Sequence, residues 1–311
     1  VTGKRIVKSW NLDKFHPIAM ESYQALESFL GFPVFEEKPI VRLFENEDEH
    51  ELWETRKADS GYEPWLGERL PPRSFSIDVK DTHGSFEILG GGWLSIGSLV
   101  EALGNTFTEK KLLIKEPFHY RDLDLNSSRE FAQWKNFRAR KIVFCEGYQA
   151  ARNPWFEWLD YRLSRGEILD IETKVPFHNR ILNCGKWVLP TGEKTARVGS
   201  TYSWEGLESG PTVSGIKEIM ESLSSFNQGE FPIISHRAGI RPGTNDSKPY
   251  LGTHPMESRL AILNGLGSKG SLYGPPAARE LARHLTGDVP IDESWDIRRR
   301  LSLLKDPLNL P

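Results

Sequence analysis

The chain has 311 residues, 38% of them hydrophobic, with 40 lysines and arginines against 43 aspartates and glutamates, a formal net charge of -3. That balance describes a soluble globular protein of one or two domains and gives no electrostatic case for nucleic acid or an anionic membrane as partner. No apolar run reaches the roughly 20 residues of a transmembrane helix or forms a signal-peptide core, and two cysteines, Cys145 and Cys184, make neither a disulfide framework nor a metal site, so a reducing, cytoplasmic setting is expected.

In chain order, Pro17 to Leu30 reads as an amphipathic helix with Ile18, Tyr23, Leu26 and Phe29/Leu30 on one face, stopped by Gly31 and Pro33. Ile40 to Phe44 reads as a strand and Asp48 to Lys57 as a polar helix. Pro64 to Pro72, with three prolines, reads as an irregular loop. Ser74 to Val79 alternates like a strand and turns through Asp81-Thr82-His83-Gly84 into Ser85 to Leu89. Gly90-Gly91-Gly92 leads through Trp93 into a helix around Ser98 to Leu103. Ile142 to Cys145 is a buried strand ending on Glu146-Gly147. Gly166 to Thr173, Ile181 to Leu189 and Arg197 to Trp204 read as antiparallel strands. Thr212 to Leu223 is a helix with Val213, Ile216, Ile219, Met220 and Leu223 inward. The last helix is expected to start at Pro275-Pro276 and end before Gly287. Strands and helices interleave throughout, which predicts a mixed α/β or α+β fold.

Two segments in the last quarter carry chemistry. Gly239-Ile240-Arg241-Pro242-Gly243-Thr244 puts one guanidinium on a turn fixed by Gly and Pro, and arginine's planar fork suits a carboxylate. Gly265-Leu266-Gly267-Ser268-Lys269-Gly270 is a G-x-G-x-x-G between an apolar strand and a helix. It reads equally as a tight turn or as a loop whose backbone N–H groups face an electron-rich ligand. Asp288 stands near the spacing of the acid that follows a dinucleotide loop, but Pro290 and a polar tail follow, so the loop does not open a Rossmann unit. The eight histidines are scattered, with no H-E-x-x-H, and no G-x-S-x-G elbow occurs; zinc and serine-nucleophile chemistry are unsupported. The ten tryptophans are mostly core, with some available to line a pocket for a planar ligand.

Residues Ala238 to Gly252 resemble the G-L-R-P-x-T-x-D-x-x-P-x-I-G signature of the D-amino-acid oxidase and glycine oxidase family of flavoproteins. Asn264 to Pro276 resembles that family's C-terminal glycine loop and helix. Val143 to Gly147 resembles its strand ending in glycine near the cofactor, Arg165 to Leu169 its K-G-E-x-L strand, and Val198 to Tyr202 its V-G-A-T strand. Five motifs in the family's order cover essentially the whole chain. Val1-Thr2-Gly3-Lys4-Arg5 resembles text that is interior in the family, so the resemblance implies that the N-terminal βαβ unit of roughly 30 residues is missing.

The resemblance implies a flavin-binding Rossmann-like part, N-terminally truncated (1–32, 83–160 and 234–311), interlocked with an antiparallel-sheet substrate part (33–82 and 161–233). It implies FAD as cofactor and oxidative deamination of a small amine or amino acid by hydride transfer to flavin N5. No catalytic acid–base pair is required, and no metal. Arg241 takes the place of the substrate-carboxylate clamp, with Trp187 and Tyr202 as pocket aromatics. Gly265, Leu266, Gly267, Ser268, Lys269, Gly270 and Ser271, together with Cys145 and Gly147, fall at cofactor-contacting positions. Leu266 to Ser271 would set backbone N–H groups against the flavin N1–C2=O edge, and Leu266 replaces the family's loop histidine. Two alternatives stand beside this: a tRNA-modifying flavoprotein of the same superfamily, which would want a basic face, and a flavin-free remnant without catalysis.

Overall fold

The computed structural model describes residues 6–75, 78–287 and 289–304. The Val1–Arg5 segment, Asp288 and the middle of the expected Ser74–Val79 strand lie outside the described residues. The elements in chain order are α1 (Leu12–Leu30), β1 (Phe35–Glu37), β2 (Ile40–Leu43), α2 (Asp48–Lys57), β3 (Leu66–Leu70), β4 (Ser85–Ile88), β5 (Gly92–Leu94) and α3 (Ile96–Glu109). Then come β6 (Leu123–Asp124), β7 (Ala132–Trp134), β8 (Phe137–Ala139), β9 (Ile142–Phe144), β10 (Tyr161–Glu172), β11 (Ile181–Cys184), β12 (Lys186–Gly192) and β13 (Thr195–Gly199). The last are α4 (Val213–Phe226), β14 (Ile233–Thr244), β15 (Tyr250–Thr253), β16 (Leu260–Asn264) and α5 (Gly270–Gly287). The fold is mixed α/β, as the interleaved pattern predicts.

The chain divides into two compact units. The first holds Gly31–Ile96 and Arg165–Gly239 with the stretch up to Leu12; the second holds Asp13–Leu30, Gly97–Ser164 and the stretch from Ile240 onward.

The first unit is built on a sheet of order β14-β10-β13-β12-β11-β2-β4-β3, antiparallel from β10 to β11 and from β2 to β3, with β11 parallel to β2. Alternate residues point to one face, and there Val41, Leu43, Leu169, Ile171, Leu182, Val188, Ala196 and Val198 meet Ile219, Leu223 and Phe226 of α4. α4 starts where its N-cap, Thr212, accepts the Gly215 N–H on Oγ1 at 3.1 Å. Val213, expected inward, is 84% exposed because it is the first residue after that cap and precedes the packed stripe. Two strand expectations are corrected here. Leu66–Leu70, inside the proline-flanked stretch read as irregular, is the edge strand β3, where the prolines sit outside the ladder. Ile181 to Leu189 is a hairpin, not one strand, because Gly185 turns the chain at φ +68° between β11 and β12.

The second unit has a sheet of order β15-β16-β9, in which β9 runs parallel to β16, and a separate meander of β6, β7 and β8. Its core gathers Phe144, Trp155, Phe156, Leu159, Tyr250, Leu260, Ile262 and Ile297. Phe15 of α1 stacks on Trp295 at 4.8 Å and meets Tyr273 of α5 edge-on at 5.9 Å. Both α1 and α5 begin about one turn earlier than their prolines suggested, so Pro17 and Pro275-Pro276 lie inside the helices. Among the described residues no helix is long and apolar enough to cross a membrane.

Candidate cofactor and substrate site

In the parallel pair β9/β16, Ile142, Val143 and Phe144 stand opposite Leu260, Ala261 and Ile262, so both strands end at the same edge. The crevice outside the carboxyl ends of parallel strands is where α/β folds take ligands. Two predicted segments meet there: Cys145 to Gly147 leaving β9, and Gly265 to Ser271 leaving β16. Asn264, 3% exposed, joins them. Its Nδ2 donates to the Gly147 carbonyl at 2.9 Å, and its Oδ1 accepts the Gly265 N–H at 2.7 Å. Glu146, next along, accepts from the Tyr120 hydroxyl and from Asn153 Nδ2, each at 2.8 Å. Burial, then that hydrogen bond and charge, raises the Tyr120 pKa above the usual phenol range, so the hydroxyl stays a donor.

The loop pairs its amides in an alternating pattern. Gly265 donates to Asn264, Gly267 to the Pro242 carbonyl at 3.0 Å, and Lys269 to the Leu266 carbonyl at 3.2 Å. Among the described residues, the amides of Leu266, Ser268, Gly270 and Ser271 meet no protein acceptor. The first amides of a helix are orphans by geometry, and α5 aims the positive end of an 18-residue helix along them. Gly265 and Gly267 have φ of +75° and +57°. A Cβ on Gly265 would come within 2.6 Å of Thr244 Cγ2, whereas the Cβ positions of Gly147 and Gly267 are open, with nothing nearer than Gly243 Cα at 3.8 Å from the latter. Bare backbone therefore faces outward at 147 and 267. Burial holds the Lys269 ammonium below its usual pKa. Bare glycines and open amides at a helix N-terminus fit the electron-rich edge of a planar cofactor.

Arg241 lies on strand β14, not on a turn. Pro242 is tolerated because β14 is the edge of its sheet, where a missing N–H breaks no ladder. Arg241 is half-buried, and the next residue's carbonyl is the one that takes the Gly267 N–H, so the arginine's strand is tied to the glycine loop. Gly243 is required by close approach, since its Cβ would come within 2.6 Å of the Arg162 carbonyl oxygen. Asp246 closes the following turn, accepting from Thr244 Oγ1 at 3.1 Å, the Lys248 N–H at 3.1 Å and Arg299 Nε at 2.9 Å. Burial would raise its pKa, but these bonds and the Arg299 and Arg300 charges hold it below the usual carboxylate range.

Trp187 and Tyr202 belong to the first unit. Trp187, half-buried on β12, stands opposite Gly199, whose absent Cβ would lie 3.2 Å from the indole Cζ2. Tyr202 is 48% exposed beside Trp204, with ring centroids 6.3 Å apart. Near them, Glu167 of the K-G-E-x-L-like strand is buried and structural. It accepts the Thr212 N–H, the Thr212 hydroxyl and His236 Nε2, each at 2.8 Å. Burial pushes its pKa up, and those bonds with Arg165 bring it below the usual value. The sequence reading named neither Glu167 nor Asn264 as a site residue. Asn264 was hidden because an Asn before a Gly reads as a turn.

The family described as DAO, FAD dependent oxidoreductase, matches residues 6–284. The glycine oxidase of Bacillus subtilis (strain 168) is 26% identical over 138 residues, 42% of this chain and 36% of that enzyme, so the chain's match spans little more than a third of that curated relative. Among solved structures, glycine oxidase from Geobacillus kaustophilus superposes with a TM-score of 0.77 at 18% identity, covering 96% of this chain and 85% of the other. Iminodiacetate oxidase from Chelativorans sp. BNC1 does so with a TM-score of 0.74 at 20% identity, covering 94% and 86%. At these identities the superpositions establish the fold.

Proposed function

Because the chain belongs to the family of FAD-dependent oxidoreductases, we propose that its second unit holds FAD along the edge formed by residues 145–147 and 265–271, and that the protein oxidises a small amino acid at the Cα–N bond. The observation that carries this reading is the row of four open amides, at Leu266, Ser268, Gly270 and Ser271, beside the open backbone of Gly147. FAD bound there would supply the hydride acceptor, and water would hydrolyse the resulting imine to a keto acid and ammonia. The four amides and the α5 N-terminus stabilise negative charge on the cofactor edge facing them. Gly147 and Gly267 keep side chains out of that approach. Arg241 offers its fork to the substrate carboxylate, fixing the Cα–H direction. Trp187 and Tyr202 are proposed as pocket aromatics of the first unit, taken as the substrate-binding part. Glycine and iminodiacetate, for which the similar solved enzymes are named, both join an amine to a carboxylate, which supports an amino acid over a plain amine. The two free cysteines agree with a cytoplasmic setting.

Titrating FAD into the protein and following flavin absorbance, then adding glycine or methylamine without oxygen, tests the reading. Saturable binding and bleaching by glycine in preference to methylamine are expected. A protein that stays colourless, or bleaches with methylamine as readily, contradicts it.

A further inference from the structure

We infer that Asn264 is a positioning residue that makes the two walls of the strand-end edge one preorganised piece; as a statement about cofactor binding it rests on the flavin reading above. The two walls are far apart in the chain, 117 residues between Gly147 and Asn264, and each is a glycine turn at positive φ; Gly265 packs against Thr244 and Tyr250, whereas Gly147 has open space where a Cβ would stand. A glycine backbone with no side chain to pack, as at Gly147, has freedom that a hydrogen bond from a well-packed neighbour removes. One carboxamide does so from both ends: its Nδ2 fixes the Gly147 carbonyl and its Oδ1 fixes the Gly265 amide. A side chain buried this fully must satisfy both ends or lose stability, and only a carboxamide of this length donates to one loop while accepting from the other. Neither a leucine nor an aspartate side chain can do both. The substitution Asn264→Asp would keep an acceptor for the Gly265 amide but would set a carboxylate against the Gly147 carbonyl. Preorganisation of this kind raises affinity by lowering the ordering cost on binding.

The test is hydrogen exchange on the 311-residue protein without flavin, paired with FAD titration, for the parent, Asn264→Leu and Asn264→Asp. Asn264→Leu is expected to speed amide exchange by about tenfold or more in both 147–152 and 265–271, as loss of a buried hydrogen bond at each would, and to raise the FAD Kd by about tenfold. Asn264→Asp is expected to loosen 147–152 more than 265–271; it carries the test if the leucine variant does not fold. Faster exchange confined to 265–271 in both variants, or an FAD Kd within twofold of a flavin-binding parent, overturns the positioning role. A parent that binds no FAD refutes the flavin reading instead, and the exchange pattern still decides whether Asn264 couples the loops.

Discussion

Tyr23 takes over a hydrogen bond that Pro275 cannot make. In an α-helix the N–H of residue 275 would donate to the carbonyl of Ser271; proline has none. The Tyr23 hydroxyl of α1 donates to that carbonyl instead, at 2.7 Å. The bond fastens α1 to the first turn of α5, the turn that carries the open amides of Gly270 and Ser271.

Tyr23→Phe should therefore cost about 0.5–1.5 kcal/mol, the net worth of one part-buried hydrogen bond, measured as a fall in the urea midpoint at constant slope. Burial pushes the Tyr23 pKa up to about 12. A raised phenol pKa means stability that is complete below the unfolded value of about 10 and lost as pH rises through the folded one. The parent should lose stability from pH 10 upward more steeply than Tyr23→Phe does. Parallel pH profiles would refute this assignment.

Three glycines give destabilising forecasts of different size and cause. Gly265→Ala meets both a left-handed φ and Thr244 Cγ2 at 2.6 Å, and should destabilise by about 2 kcal/mol or more. Gly147→Ala has open space and should cost only about 1 kcal/mol in stability, yet impair FAD binding more than its stability loss explains. Gly215→Ala in α4 would gain about 1 kcal/mol of helix propensity, but its Cβ would collide with the Glu167 carboxylate, so net destabilisation is expected. Chemical denaturation gives all three magnitudes, and a stabilised Gly215→Ala would show that Glu167 yields freely.

How legible this was in the sequence depended on whether the signal was local. α2 was read as a polar helix with its observed boundaries, and its charges suit a local signal: Asp48, Glu49 and Glu51 open it and Arg56 and Lys57 close it, complementing the helix dipole. The helix read from Thr212 has that residue as its N-cap. The glycine loop and its helix were legible as a pattern, and the five ordered motifs gave the family. What stayed hidden depended on distant partners. β3 looks irregular until β4 pairs with it, and the strand character of residues 239–244 is set by a sheet edge that tolerates Pro242. The early start of α5 depends on Tyr23, some 250 residues away in chain terms. Asn264 and Glu167 take their roles from contacts that spacing cannot encode.

His254 sets the acid limit of the second unit. Its Nδ1 accepts the amides of Met256 at 3.2 Å and Glu257 at 3.1 Å, which only the neutral ring can do. Burial, partly opposed by Glu257, lowers its pKa to about 4. A depressed histidine means the unfolded chain takes up the proton first, so stability present above about pH 6.5 falls as pH drops towards 4. The loss should amount to about 2–3 kcal/mol. His254→Asn, which keeps an acceptor without titrating, should flatten that part of the curve; an unchanged slope would assign the acid loss to other groups.

The central claim is that Arg241 recognises a carboxylate beside the cofactor edge, and one comparison tests it most directly. On the FAD-loaded protein, kcat/KM is measured for an amino acid and for the matching amine that lacks the carboxylate, in the parent and in Arg241→Ala. A charge-assisted bond of about 1.5–3 kcal/mol predicts that the variant loses about ten- to a hundredfold with the amino acid and almost nothing with the amine. Arg241→Lys should restore only part of the loss, since a point charge cannot reproduce the fork, and flavin content should stay near that of the parent in both variants. Equal losses on both substrates would contradict the clamp and leave Arg241 a structural residue of β14.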